Sequence, residues 1–253
     1  MRMKNIFTIS VIAFAIFMIN GICAGQTIQL STINWEPYTG EKLPDQGFFT
    51  EIVKEAFAKV GYKIEFLYRP WARALQEAKD GTVHGIMDAY WKKDRVKYLE
   101  YPDVVWKVRE EFIALKKNPI KYNGKLADLK GSTIGVLRGS AQAEEIEAAG
   151  VKTEAITDQK QNVQKLLAGR IDAMIIPRSI FYYQAESLDK KFNRKNIKVL
   201  QPPYKIYDMY VAFSKKKPNY KKITADFNKG LKLIKENGTY NKIIKKHNIS
   251  SEE

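Results

Sequence analysis

The order β-α-β-α-β occurs twice in this chain, and that repetition constrains its fold more than any other feature. Glu51 to Val60 places Ile52, Val53, Ala56, Phe57 and Val60 on one helical face, stops at Gly61 and leads into a strand from Lys63 to Leu67. Glu144 to Ala149, Gly150 and Val151 to Ile156 repeat this 89 residues on. Gly81-Thr82-Val83-His84-Gly85-Ile86-Met87 and Gly169-Arg170-Ile171-Asp172-Ala173-Met174-Ile175 form a second echo at an offset of 88 residues. Each half opens on a Thr-Ile strand, Thr27-Ile28 and Thr133-Ile134. Strands alternating with helices give an α/β fold with largely parallel strands, and the period is too long for a solenoid. Two similar units, at about 27–110 and 132–200, predict two lobes with a cleft between them.

Beyond them, the sequence predicts a strand from Tyr207 to Phe213 and two lysine-rich helices starting near Pro218 and Thr239. Tyr220, Ile223, Phe227, Leu231 and Ile234 form an apolar stripe at helical spacing that ends at Gly238. The formal charge is +15, and the segment from residue 205 onward, with 12 Lys against 5 acids, carries +7 of it. Lysines opposite an apolar stripe read as a solvated face, and no helix-turn-helix, zinc finger or RNP-like motif argues for nucleic acid. Cys23 is the single cysteine, and His84 and His247 are the only histidines. That is too few for a Cys/His zinc site or an ordinary Ser-His-Asp triad, so neither metal nor cofactor is expected.

Arg2 and Lys4 precede an apolar run from Ile6 to Ile19, followed by Asn20-Gly21-Ile22-Cys23-Ala24-Gly25. This pattern predicts a secretory signal peptide over residues 1–25, cleaved after Gly25 or Ala24. The run is short for a membrane span. A lipid-anchored Cys23 is the other reading, although Ile22 stands where a small residue would precede it.

In open α/β sheets ligands bind outside the carboxyl ends of the strands, which makes the residues following each strand the candidate site. In the first half these are Trp35 and Tyr38, then Arg69, Trp71 and Arg73, then Asp88, Tyr90, Trp91 and Arg95. In the second half they are Arg138 and Ser140, then Thr157-Asp158, then Pro177 and Arg178. Flat aromatic walls and guanidinium forks suit a small anionic ligand. Ser140 opens a helix, where it reads both as an N-cap and as an anion site. Trp106 and Phe181-Tyr182-Tyr183 read as packing.

Taken together, Trp35-Glu36-Pro37-Tyr38, Gly47-Phe48-Phe49, the segment Asp128 to Val136 and Gly169-Arg170-Ile171-Asp172-Ala173 resemble the family 3 bacterial extracellular solute-binding proteins. The resemblance implies a two-lobed periplasmic binding protein type II fold, each lobe a mixed sheet flanked by helices, joined by two hinge strands. Lobe 1 would comprise 27–112 plus 209–253, and lobe 2 113–208. It implies a monomer that captures a small anionic or zwitterionic solute in the periplasm and delivers it to an ABC permease, with no nucleic-acid partner. Arg95 falls where the family places its carboxylate clamp, Trp35 looks like the aromatic covering the ligand, and Ser140 matches the hydroxyl that holds the carboxylate from lobe 2. The chain departs from amino-acid-binding members at Asp88, Ala89 and Lys92, where Ser or Thr is usual, and at Pro177, where an acid is usual. Asp88 is then the carboxylate left to receive an ammonium group, and a carboxylate lacking an amine is the alternative ligand. Relatives of this fold include periplasmic dehydratases and cell-wall lyases, and a sensor module that presents bound solute to a receptor is a further reading. Glu36, Asp88 and Asp94 are the acids near the strand ends of the first half, and nothing in their spacing marks a catalytic pair.

Overall fold

A computed structural model describes residues 26–249. The predicted signal peptide and Cys23 lie outside the described residues, among which no helix is long and apolar enough to cross a membrane. The first half contains β1 (Thr27–Thr32), α1 (Phe48–Ala58), β2 (Lys63–Tyr68), α2 (Trp71–Asp80) and β3 (Gly85–Tyr90). After the short β4 (Leu99–Glu100) comes the ten-residue β5 (Trp106–Leu115). The second half repeats the order with β6 (Thr133–Leu137), α3 (Ala141–Ala148), β7 (Lys152–Ile156), α4 (Gln159–Leu167), β8 (Ala173–Ile176) and α5 (Arg178–Leu188). The chain closes with β9 (Ile197–Val199), β10 (Lys205–Ser214), α6 (Tyr220–Glu236) and α7 (Thr239–Lys246).

The strands run in the order β2-β1-β3-β10-β5-β8-β6-β7. The triplets β2-β1-β3 and β7-β6-β8 are parallel and mirror each other across the β10–β5 pair. The central pair is antiparallel, with Lys205–Met209 of β10 matched to Glu110–Trp106 of β5. Onward from there β10 pairs with β3, while β5 pairs with β8 and β9, so each long strand extends the ladder of a different half.

Helix α1 begins three residues before the apolar pattern suggests, because Gly47 at φ 95° turns the chain into it and buries Phe48 and Phe49 in the first turn. The stripe on α6 packs as expected at Ile223, Phe227, Leu231 and Ile234, which are buried, while Tyr220 is half-buried at the first turn. Phe227 lies 5.0 Å from Phe57 of α1, ring to ring. The two helices approach so closely at Gly230 that a Cβ there would lie 2.0 Å from the Ala56 carbonyl oxygen. Backbone cannot yield as a flexible side chain can. Gly230→Ala is therefore expected to destabilise the fold by about 2–4 kcal/mol, read as a lower denaturation midpoint with unchanged m-value.

Candidate functional site

The carboxyl ends of β1 and β3 face those of β6 and β7. In each triplet the first strand lies between the second and the third, so the connections leave it in opposite directions, which is where open α/β sheets place ligands. Two adjoining cavities lie there. The inner one, about 30 Å³, is walled by Trp35 and Ile33 after β1, Asp88 and Tyr90 on β3, and Trp71 and Arg95. Leu137, Ser140, Ala141 and Gln142 close it from the second half.

Arg95 is only 1% exposed. Its Nη2 donates to the Gly139 carbonyl at 3.1 Å and lies 3.5 Å from Glu144 Oε1. Its Nη1 is buried without a partner. The guanidinium lies over the Trp71 ring at 5.7 Å, and Trp71 Nε1 donates to the same Gly139 carbonyl at 2.8 Å. Lys92 pairs with Glu144 on α3, so a lysine in place of the usual hydroxyl residue supplies a countercharge across the cleft. Ser140 accepts from Ala143 N at 3.1 Å and caps α3 while its side chain borders the inner cavity.

Asp88 sits at φ 57°, a left-handed conformation uncommon outside glycine. Its Oδ2 accepts from the Thr32 hydroxyl at 2.5 Å and its Oδ1 is buried without a partner. Burial raises its carboxyl to about 7, against the opposing effect of Thr32. A cation-poor carboxylate and a guanidinium with an unused N–H thus border one small space. A second buried acid, Glu110 on β5, is also raised by burial to about 7. It accepts from Tyr90 Oη at 2.7 Å and from Gln142 Nε2 at 2.5 Å, and Tyr90 stacks on Tyr207 of β10 at 4.4 Å. This network ties β3, β5, β10 and α3 together where the halves meet.

Of the residues expected in the cleft, Trp35, Trp71, Asp88, Tyr90, Arg95 and Ser140 border the inner cavity, and Arg69, Thr157 and Asp158 border the outer one. Six others, Arg73 and Pro177 among them, border neither. Tyr38 is fully buried in an aromatic cluster with Trp35 and Phe48, its hydroxyl 3.3 Å from Ser179 Oγ. Trp91 is 52% exposed, one residue beyond the end of β3. Arg138 is exposed and donates to the Ala155 carbonyl of neighbouring β7. Arg178 forms a two-pronged pair with buried Glu111, at 2.6 and 3.1 Å. Sequence reasoning missed Gln142, Glu144 and Glu110. The first two lie two and four residues past Ser140 on the same first turn, which is the signal that could have found them.

The sequence profile of the bacterial extracellular solute-binding proteins, family 3, matches residues 31–249. The arginine-binding extracellular protein ArtP of Bacillus subtilis (strain 168) is 29% identical over 205 residues, covering 79% of this chain and 76% of that protein. Among solved structures, an ancestral arginine-binding protein bound to arginine superimposes with a TM-score of 0.74 at 22% identity, over 88% of this chain and 98% of that one. A histidine kinase sensor domain similar to periplasmic binding proteins gives a TM-score of 0.77 at 17% identity, over 88% and 96%.

Proposed function

This chain belongs to the bacterial extracellular solute-binding proteins, family 3, and from that premise we propose that it is a periplasmic binding protein for a small zwitterionic solute carrying a carboxylate and an amine. It captures the solute between two lobes, 27–112 plus 209–253 and 113–208, and delivers it to an ABC permease after its signal peptide is removed. Relatives named for binding arginine, cystine, and lysine, arginine or ornithine support an amino-acid class.

The observation that carries the reading is the pair of unused polar atoms on two residues that line the inner cavity, Arg95 Nη1 and Asp88 Oδ1. A carboxylate engages the Arg95 fork and the α3 N-terminus beside Ser140, and an ammonium engages Asp88. Trp35 and Trp71 exclude water from both contacts, which strengthens them. Asp88 does here what an acid at the position of Pro177 does elsewhere in the family. Tyr90 and Gln142 both donate to Glu110 Oε1, and among the described residues Asp88 is the single carboxyl lining the inner cavity, which favours binding over proton-transfer chemistry.

The test is a thermal-shift series on the mature protein with amino acids, their decarboxylated amines and their deaminated acids. A ligand at a hundred times its Kd adds about 2.7 kcal/mol of stability. Amino acids are expected to raise Tm and compounds lacking either group to raise it far less. Equal shifts from the deaminated acids would remove Asp88 from the reading, and shifts from none of the three classes would overturn it.

A further inference from the structure

Three neighbouring side chains of α3 reach in different directions. Gln142 donates to Glu110 on β5, and Glu145 accepts from Tyr204 at 2.6 Å and from Tyr207 of β10 at 2.9 Å. Those contacts end on or beside the two long strands that join the halves. Glu144 reaches across the cleft instead. It pairs with Lys92 and its Oε1 stands 3.5 Å from Arg95 Nη2, and both cations belong to the segment between β3 and β4 in the first half.

We propose that the Lys92–Glu144 bridge, reinforced by Arg95, is a latch that supplies part of the free energy closing the two lobes, so that solute affinity depends on it. The inference rests on the two-lobed solute-binding reading above, and adds to it a closing force that comes from the protein rather than from the solute.

The latch and the solute use different atoms. Arg95 Nη2 faces the Gly139 carbonyl and Glu144, whereas Nη1 is the atom left without a partner. The Glu144 carboxylate does not line the inner cavity, so it leaves the solute's place open. Two cations share this one carboxylate, and the trio keeps a net positive charge that attracts a carboxylate entering beside it. The bridge also lies next to the point where Trp71 Nε1 and Arg95 both donate to Gly139 O, at 2.8 and 3.1 Å, so it closes the same seam that those bonds close.

Exposure sets the size of the effect. The Lys92 side chain is 18% exposed and that of Glu144 41%, between a surface bridge and a buried one, which is worth a few-fold in an equilibrium. A solute that binds the closed form has an apparent Kd equal to its intrinsic Kd divided by the closed fraction. Loss of the bridge therefore appears in Kd.

The experiment combines small-angle X-ray scattering from the unliganded mature protein with calorimetric titration by each of the standard amino acids. The variants are Glu144→Gln, Lys92→Met and the two together, with circular dichroism melts to verify folding. Each single variant is expected to have a larger radius of gyration than the parent and to weaken the amino acids that the parent binds by about three- to tenfold. The double variant is expected to lose no more than Glu144→Gln alone, because both substitutions remove one interaction. Salt at about 1 M, where the screening length is about 3 Å, is expected to move the parent toward the variants and leave the variants unchanged. Tighter binding by Glu144→Gln would show that Glu144 competes with the solute for Arg95, and overturns the latch. A loss in Glu144→Gln that Lys92→Met does not share overturns it too, since Glu144 also sits in the positive first turn of α3 and would then act through that helix alone. A parent that binds none of the amino acids overturns the solute reading instead, and the scattering then decides the latch by itself: equal radii in parent and variants overturn it.

Discussion

Arg95→Ala is expected to weaken the binding of a carboxylate-bearing solute by at least about a hundredfold, which erases the ligand-induced rise in Tm. The guanidinium is preorganised. Its 1% exposure, the Gly139 carbonyl and the face of Trp71 hold it in one orientation, so little rotamer freedom remains to be lost when a carboxylate arrives. The cavity also excludes the solvent that weakens such pairs at a surface. Arg95→Lys separates charge from geometry. An ammonium keeps the charge but cannot hold Gly139 and grip a carboxylate as a planar fork does, so an intermediate loss of about tenfold or more is expected. Titration calorimetry on the three proteins checks this, with circular dichroism melts to verify folding. A lysine variant with parental affinity would show that charge alone suffices, and an alanine variant with parental affinity would remove Arg95 from the site.

The second large effect concerns pH. Burial raises the Asp88 carboxyl from its ordinary 3.8 to about 7, and Glu110 from 4.5 to about 7. Between those values the folded protein keeps protons that the unfolded chain has released. The stability that these two groups contribute is therefore greatest near pH 4, falls as pH rises toward 7, and levels off above it. Asp88→Asn removes one such group and is expected to stabilise the ligand-free protein at pH 8 by an amount of the order of 2–4 kcal/mol, with little change at pH 4. Asparagine is the right replacement because it tolerates the left-handed φ of 57° that would strain alanine. Glu110→Gln is expected to act in the same direction. An ammonium seated on Asp88 favours its ionised form, so binding at pH 6 is expected to release a proton. Calorimetry in buffers of different ionisation enthalpy detects that release, which should vanish in Asp88→Asn. A parent protein that releases none would show that the amine sits elsewhere.

Much of this architecture is legible in the sequence because the repeat is punctuated by glycine. Gly61, Gly81, Gly150 and Gly169 all adopt positive φ after a helix, and each marks the same joint in one or other half. Six of the residues that border the inner cavity were legible because they stand at or just after strand ends. Trp91 follows a strand as well and lies 52% exposed, so a place after a strand was not enough to tell it apart. Arg138 and Arg178 were not separable from Arg95 by composition, since their partners Ala155 and Glu111 lie 17 and 67 residues away and only the fold brings them together.

The strand order also dictates when the halves can be finished. The strands of the parallel triplet β6-β7-β8 pair among themselves, and β5, their antiparallel flank, precedes them. The triplet β1-β2-β3 must instead wait for β10 to pair with β3, and for α6 to seat Gly230 against Ala56. Pairings of such sequence separation are slow to close. The first half to emerge in synthesis is thus the last to be completed, and a chain truncated before residue 205 leaves that half with an open sheet edge and the apolar face of α1 uncovered.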